Sequence, residues 1–257
     1  MQIIHLSDAI TIKKVSEDSH RGVFNIEGLY SGYGLTLGNA LRRVLLSSLP
    51  GAAITQIKIN GIHHEFSTLP GMLEDIVNFT LNLKKVRFLF FAEEPQILTL
   101  KVKGENKVTA GDIKSTGQVK VVNSDLFLAS LTDKKAELDI ELTVEKGLGY
   151  LPADSRKTER LSVGTIVLDA LFSPVINANF QVENMRVGER TDYNRLILDI
   201  ETDGTLSPSA ALHKAANVLS DHFQKISSIE VIKLQEAEMP VEAEKSVEKK
   251  KRASKKK

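Results

Sequence analysis

The chain has no cysteine. That excludes disulfides, thiolate nucleophiles and cysteine-based zinc or iron–sulfur sites, and it accords with a reducing compartment. Long apolar runs are missing too. The longest uncharged stretch, Val44 to Ile57, is too short to span a membrane and is interrupted by Pro50-Gly51. Residues Met1 to Ile10 have neither a basic n-region nor an apolar h-region, so they do not read as a secretory signal. A cytoplasmic protein with no membrane contact is expected.

The enzymatic motifs are absent as well. No G-x-x-x-x-G-K-[ST] phosphate loop and no G-x-S-x-G elbow occurs. Gly32-Tyr33-Gly34 and Gly38 have one residue too many for a dinucleotide fingerprint and read as turn glycines. His63 and His64, taken as neighbours in a strand, would point to opposite faces and share no metal ion. Asp139/Glu141 and Asp199/Glu201 have the i, i+2 spacing that two-metal chemistry can use. Each pair is also the polar half of an alternating strand, which makes a solvated face the better reading. No catalytic residue, metal ligand or cofactor is expected.

What is present is an ordinary globular composition, 42% hydrophobic and 26% charged over 257 residues, enough for one large domain or two modest ones. The net charge of +1 is unevenly spread. From Gln235 on there are eight Lys/Arg and five Glu, leaving 26 basic and 28 acidic residues elsewhere. Bulk charge therefore gives the rest of the chain no general affinity for nucleic acid. The Lys-rich end, Lys249 to Lys257, would contact phosphates only in a sequence-blind, salt-dependent way. Residues 234–257 lose all periodicity and are expected to be a disordered Glu/Lys-rich tail.

Alternation dominates the middle. Leu138, Ile140, Leu142 and Val144 share one face of a strand over Ala136–Lys146, and Ile176 to Val182 and Leu196 to Ile200 alternate likewise. Asn60-Gly61 predicts a tight hairpin turn, with Ile62, His64 and Phe66 in the returning strand. Three stretches have helical spacing. Asn39–Leu49 stops at Pro50-Gly51, and Met72 to Leu83 forms a second helix. The third begins at Ser207-Pro208, an N-cap followed by proline at the first helical position. Helices near both ends around a strand-rich middle predict an α+β fold with an inserted β-rich domain. In the first helix Arg42-Arg43 interrupts an otherwise uncharged segment, so at least one arginine must face outward, either as a solvated charge or as a partner's anchor.

The segment Thr36-Leu37-Gly38-Asn39-Ala40-Leu41-Arg42-Arg43-Val44-Leu45-Leu46-Ser47-Ser48-Leu49-Pro50-Gly51 resembles the alpha subunit of bacterial and plastid RNA polymerase. The likeness continues in order through His64 to Thr68, Glu74-Asp75-Ile76, Leu81 to Lys84, Gly147 to Ala153, Phe172 to Val175 and Arg190-Thr191-Asp192. The resemblance implies a homodimeric, non-catalytic scaffold on which the beta and beta-prime subunits assemble, in a bacterial cytoplasm or a plastid stroma. It implies a dimerisation domain of helices and antiparallel sheet from both chain ends, 1–50 and 178–233, around an inserted domain, 51–177. Leu41, Leu45, Leu49, Ala215, Leu219, His222 and Ile226 would then be interface as well as core. Asn39, Arg42, Arg43, His64, Ser67, Thr68 and Gly71 would face the beta subunit, and Lys84 the beta-prime subunit. Family members usually continue into a helical domain that binds promoter DNA. The polar end of this sequence has no such pattern, so DNA contact is expected to be weak and limited to the Lys-rich tail.

Overall fold

The computed structural model describes residues 10–156 and 164–229; the Glu/Lys-rich tail lies outside them. In chain order, β1 (Thr11–Glu17) and β2 (Arg21–Leu29) lead into α1 (Tyr33–Ser47) and β3 (Pro50–Ile59). After a loop come α2 (Ile76–Leu83), β4 (Phe88–Phe90), β5 (Gln96–Lys103), β6 (Asn106–Thr109), β7 (Ile113–Lys114), β8 (Val119–Val121) and β9 (Phe127–Leu131). The long β10 (Glu137–Leu148) is followed by β11 (Tyr150–Leu151), β12 (Thr165–Val167) and β13 (Ala170–Leu171). The hairpin β14 (Val175–Val187) and β15 (Arg190–Thr202) and the helix α3 (Pro208–Ser227) close the described chain. The fold is α+β, and every described strand pairing is antiparallel. Among the described residues, those through His222 fall in one compact unit and 223–229 belong to a second.

One sheet joins the two ends of the sequence in the order β1-β2-β15-β14. Alternation gives it one apolar face, where Phe24 lies opposite Leu198 and Leu198 opposite Phe180. Leu41, Leu45 and Leu49 from α1 and its end, with Ala211 and Ala215 of α3, cover that face. The opposite face is charged: Glu27 accepts from Lys13 at 2.7 Å and faces Arg195 Nε at 3.1 Å. The turn between β1 and β2 also reaches α3. The Glu17 carboxylate accepts from the Ser209 backbone N–H at 2.9 Å, at the second helical position, supplementing Ser207, whose Oγ accepts from Ala210 N–H at 3.4 Å. The Ser209 hydroxyl first, then Lys14 and the Ser209 amide, hold Glu17 down at a pKa of about 2.

The other large sheet runs β12-β3-β10-β5-β7 and buries a separate apolar cluster beneath α2, which contributes Ile76, Phe79 and Leu83. The expected strand over Ala136–Lys146 is the core of β10, with Leu138, Ile140, Leu142 and Val144 all buried.

Four local expectations need correction. The first helix begins at Tyr33, not Asn39, so of the glycines read as turns only Gly32, at φ +86°, is one. Gly34 and Gly38 lie inside α1 on its inward side: a Cβ on Gly38 would come within 2.5 Å of the Phe180 ring, and one on Gly34 within 2.7 Å of Val182 Cγ1. The second helix starts at Ile76, because the Asp75 side chain accepts from Asn78 N–H at 2.7 Å and caps it there; Met72 and Leu73 precede it in a loop. Asn60-Gly61 makes the tight turn, with Gly61 at φ +80° and the Ile62 N–H donating to Ile59 O at 3.2 Å, but no strand returns from it, and the Asn60 N–H donates to Asp139 O of β10 at 3.0 Å. Consequently 62–68 is not a strand, and the argument that placed His63 and His64 on opposite faces does not apply.

Candidate assembly surface

The sequence pattern of α1 divides its surface into two. Gly34, Gly38, Leu41 and Leu45 are buried against the sheet. Leu35, Asn39, Arg42 and Leu46 follow at i, i+4, i+7 and i+11 and form one exposed stripe, with Arg43 beside it. Both arginines are exposed, and neither pairs with an acid among the described residues. The helix itself carries no acidic residue. Two unneutralised guanidinium forks between exposed leucines are chemically suited to carboxylates or backbone carbonyls on an apolar partner surface.

The loop carrying His64, Ser67, Thr68 and Gly71 is held from below by acids. The Glu74 carboxylate accepts from Ser130 N–H at 2.7 Å, while Asp75 caps α2. Gly71, at φ +81°, places its carbonyl to accept from the Thr132 N–H at 2.8 Å and hydroxyl at 3.3 Å. Above this base His64 and Thr68 are exposed, Ser67 is half-buried, and the Ser67 hydroxyl lies 3.0 Å from His64 Nδ1. Phe66 and Leu73, assigned to a strand face and a helix face from the sequence, are instead 80% and 73% exposed. An apolar residue in a loop has no periodicity to betray which way it points. Among the described residues no hydrogen bond or ion pair joins this loop to the α1 stripe.

Lys84 follows the end of α2 and is half-buried. Its ammonium donates to Asp169 Oδ2 at 3.0 Å, and Asp169 Oδ1 accepts from the Ala153 N–H at 2.9 Å. The Ala153 amide first, and Lys84 second, hold the Asp169 carboxyl below the usual carboxylate range. Lys84 thus braces α2 against the segment around Pro152-Ala153 and is not a free cation.

The residues expected at a dimer interface separate by burial. Leu41, Leu45, Leu49 and Ala215 are core of this chain alone; Leu45, for example, is 0% exposed. An apolar helical stripe is satisfied equally by its own sheet, and these four are spent there. Leu219 is half-buried, while His222 and Ile226 are exposed, as is Phe223 beside them.

The paired carboxylates are structural. Asp139 accepts from Lys101 Nζ at 2.9 Å, and Asp199 receives both Arg21 Nε at 2.9 Å and Nη2 at 2.6 Å. Among the described residues no group of three His, Asp or Glu side chains is placed to hold a metal, and no helix is long and apolar enough to cross a membrane.

Residues 57–173 match the family described as the RNA polymerase Rpb3/RpoA insert domain. The chain is 46% identical over 215 residues to the DNA-directed RNA polymerase subunit alpha of Symbiobacterium thermophilum, covering 84% of this chain and 68% of that one. It is 48% identical over 216 residues to the subunit alpha of Roseiflexus sp. (strain RS-1), covering 84% and 66%. With that of Carboxydothermus hydrogenoformans it shares 43% over 235 residues, covering 86% and 75%. The chain thus spans about two thirds to three quarters of these relatives' length. Identity at this level over most of the sequence, on an antiparallel α+β fold with one helix displaying an unpaired double arginine, places the chain in the alpha-subunit family of DNA-directed RNA polymerase.

Proposed function

We propose that the chain is a non-catalytic assembly subunit of RNA polymerase. It acts in the cytoplasm, pairs with a second copy of itself, and presents the α1 stripe to the beta subunit. The observation that carries this reading is the division of α1: its inward face is spent on the chain's own sheet, while Arg42 and Arg43 stand exposed and unneutralised among leucines. Such a surface is stable in water yet gains from a partner that supplies acceptors. On the same reading Asn39 and the His64, Ser67, Thr68 and Gly71 loop extend the beta contact, with Phe66 as its apolar contribution. The Lys84–Asp169 brace shapes the beta-prime contact, with Lys84 acting through the segment it holds. The exposed end of α3, including His222 and Ile226, meets the second copy. Residues 1–50 and 178–233 form the dimerisation domain and 51–177 the inserted one.

The test is co-expression with the large subunits. Arg43→Ala should leave the melting temperature and the dimer mass unchanged while reducing recovery of the beta subunit about tenfold or more, the scale of a truncated interface arginine. An Arg43→Ala chain that recovers the beta subunit like the parent would overturn the assignment of α1.

A further inference from the structure

A cleft of about 320 Å³ is lined by no residue of the α1 stripe or of the loop above α2. Its walls come from both apolar clusters. Pro50 begins β3, Phe90 and Phe91 end and follow β4, and Leu206 precedes α3. Lys146 of β10 and Lys214 of α3 complete the lining.

The charge of this cleft is one-sided. No acidic side chain lines it, and neither lysine forms an ion pair with a described residue. The acid just before its Thr205 edge, Asp203, faces Arg87 Nε at 3.5 Å with its side chain 7% exposed. Both lysines are exposed, so each ammonium is free to swing over the opening on its four-carbon stem. Phe91, 72% exposed, lines the same cleft together with the more buried Phe88 and Phe90. A large aromatic left in water beside two unneutralised cations is the arrangement of a binding surface, not of a solvated loop.

The shape selects the occupant. Small molecules are held by enclosing most of their surface. With Pro50, Phe91, Lys146 and Lys214 all exposed, this cleft encloses little, whereas an extended chain laid across it covers the apolar floor and carries charges to both lysines. We propose that the cleft is a docking site for an acidic peptide segment with an apolar anchor residue. The anchor sits against Phe91 and Leu206, and flanking carboxylates meet Lys146 and Lys214. Because its walls belong to both apolar clusters, an occupant ties them together. The site is independent of the α1 surface, and its failure would leave the assembly reading untouched.

The purified chain is titrated into a fluorescein-labelled peptide of three Asp-Leu-Glu-Phe repeats, with fluorescence anisotropy as the readout. Saturable binding is expected, and the double variant K146E/K214E should weaken it about tenfold or more through reversed charge. Phe91→Ser should weaken it as well. The same peptide with lysine in place of its acids should not bind. Lys107→Glu, the same kind of charge reversal at a single exposed position outside the cleft, should bind like the parent. Circular dichroism and melting temperature confirm that each variant is folded. No saturable binding by the folded parent, equal binding by folded K146E/K214E, or equal weakening by Lys107→Glu would each overturn the site. Displacement of the peptide by a single-stranded oligonucleotide that needs Lys146 and Lys214, with no dependence on Phe91, would also overturn it.

Discussion

Gly38→Ala should destabilise this protein, although glycine-to-alanine inside a helix ordinarily does the opposite. On helix propensity alone the change is favourable by about 0.5–1 kcal/mol. Here the new methyl would lie 2.5 Å from Phe180 Cδ2 and 2.7 Å from Cε2, well inside contact distance. Phe180 cannot simply swing aside, since its strand position is fixed by pairing with Leu198. Either the ring leaves its place on the sheet or α1 lifts from β14. Overpacking of this kind costs about 1–3 kcal/mol, so the net loss is on the order of 1–2 kcal/mol, a fall in melting temperature of roughly 2–8 °C for a chain of this size. Thermal unfolding followed by circular dichroism measures it. Phe180→Ala in the same chain should remove the clash, so that Gly38→Ala becomes neutral or stabilising in that background. A single Gly38→Ala variant as stable as the parent would refute the close approach of α1 to the sheet.

Two further perturbations follow from the same packing. Glu17 is depressed to about 2 in the folded chain from an ordinary value of 4.5, so its contribution is complete above 4.5 and is lost as the pH falls from there toward 2. Glu17→Gln should therefore lower the melting temperature at neutral pH and flatten the acid limb of the stability curve; parallel limbs for variant and parent would exclude the carboxylate as the cap of α3. At the other end of the sheet, Arg190 pairs with Asp192 at 2.6 Å and lies over the rings of Tyr30 and Tyr193, 4.9 and 5.5 Å from their centroids. Arg190→Ala should speed amide exchange at the β14–β15 hairpin tip and at Tyr30, read by hydrogen-exchange mass spectrometry, with no change in β10.

Much of the architecture was legible where a pattern is local. The alternation around Leu138 to Val144 and the Ser207-Pro208 start of α3 depend only on neighbours in sequence, and the structure has both. The first turns of α1 were not, because Gly34 and Gly38 are there to admit Phe180 and Val182, more than 140 residues away in sequence. Asn60-Gly61 makes its turn, but the strand expected to return from it does not form, because both edges of β3 are taken by β10 and β12, which lie far along the chain. At the candidate site, the exposure of Arg42 and Arg43 could be argued from helical spacing. The roles of Leu41, Leu45 and Leu49 could not, since an apolar stripe says that something covers it and not what.

The pairing of β2 with β15 also sets a clock. Arg21 and its partner Asp199 are 178 residues apart, so at ribosomal speeds the second strand emerges on the order of ten to thirty seconds after the first. During that interval α1 has nothing to lie on, whereas the partners of β10 are already made. The stripe bearing Arg42 and Arg43 is therefore held in place only once β14 and β15 have been synthesised, which, if that stripe meets the beta subunit as proposed, keeps half-made chains from engaging it. Ribosome-stalled chains ending near residue 170 should accordingly be cut by protease within 33–47 and resist within 96–148; equal resistance in both would remove this ordering.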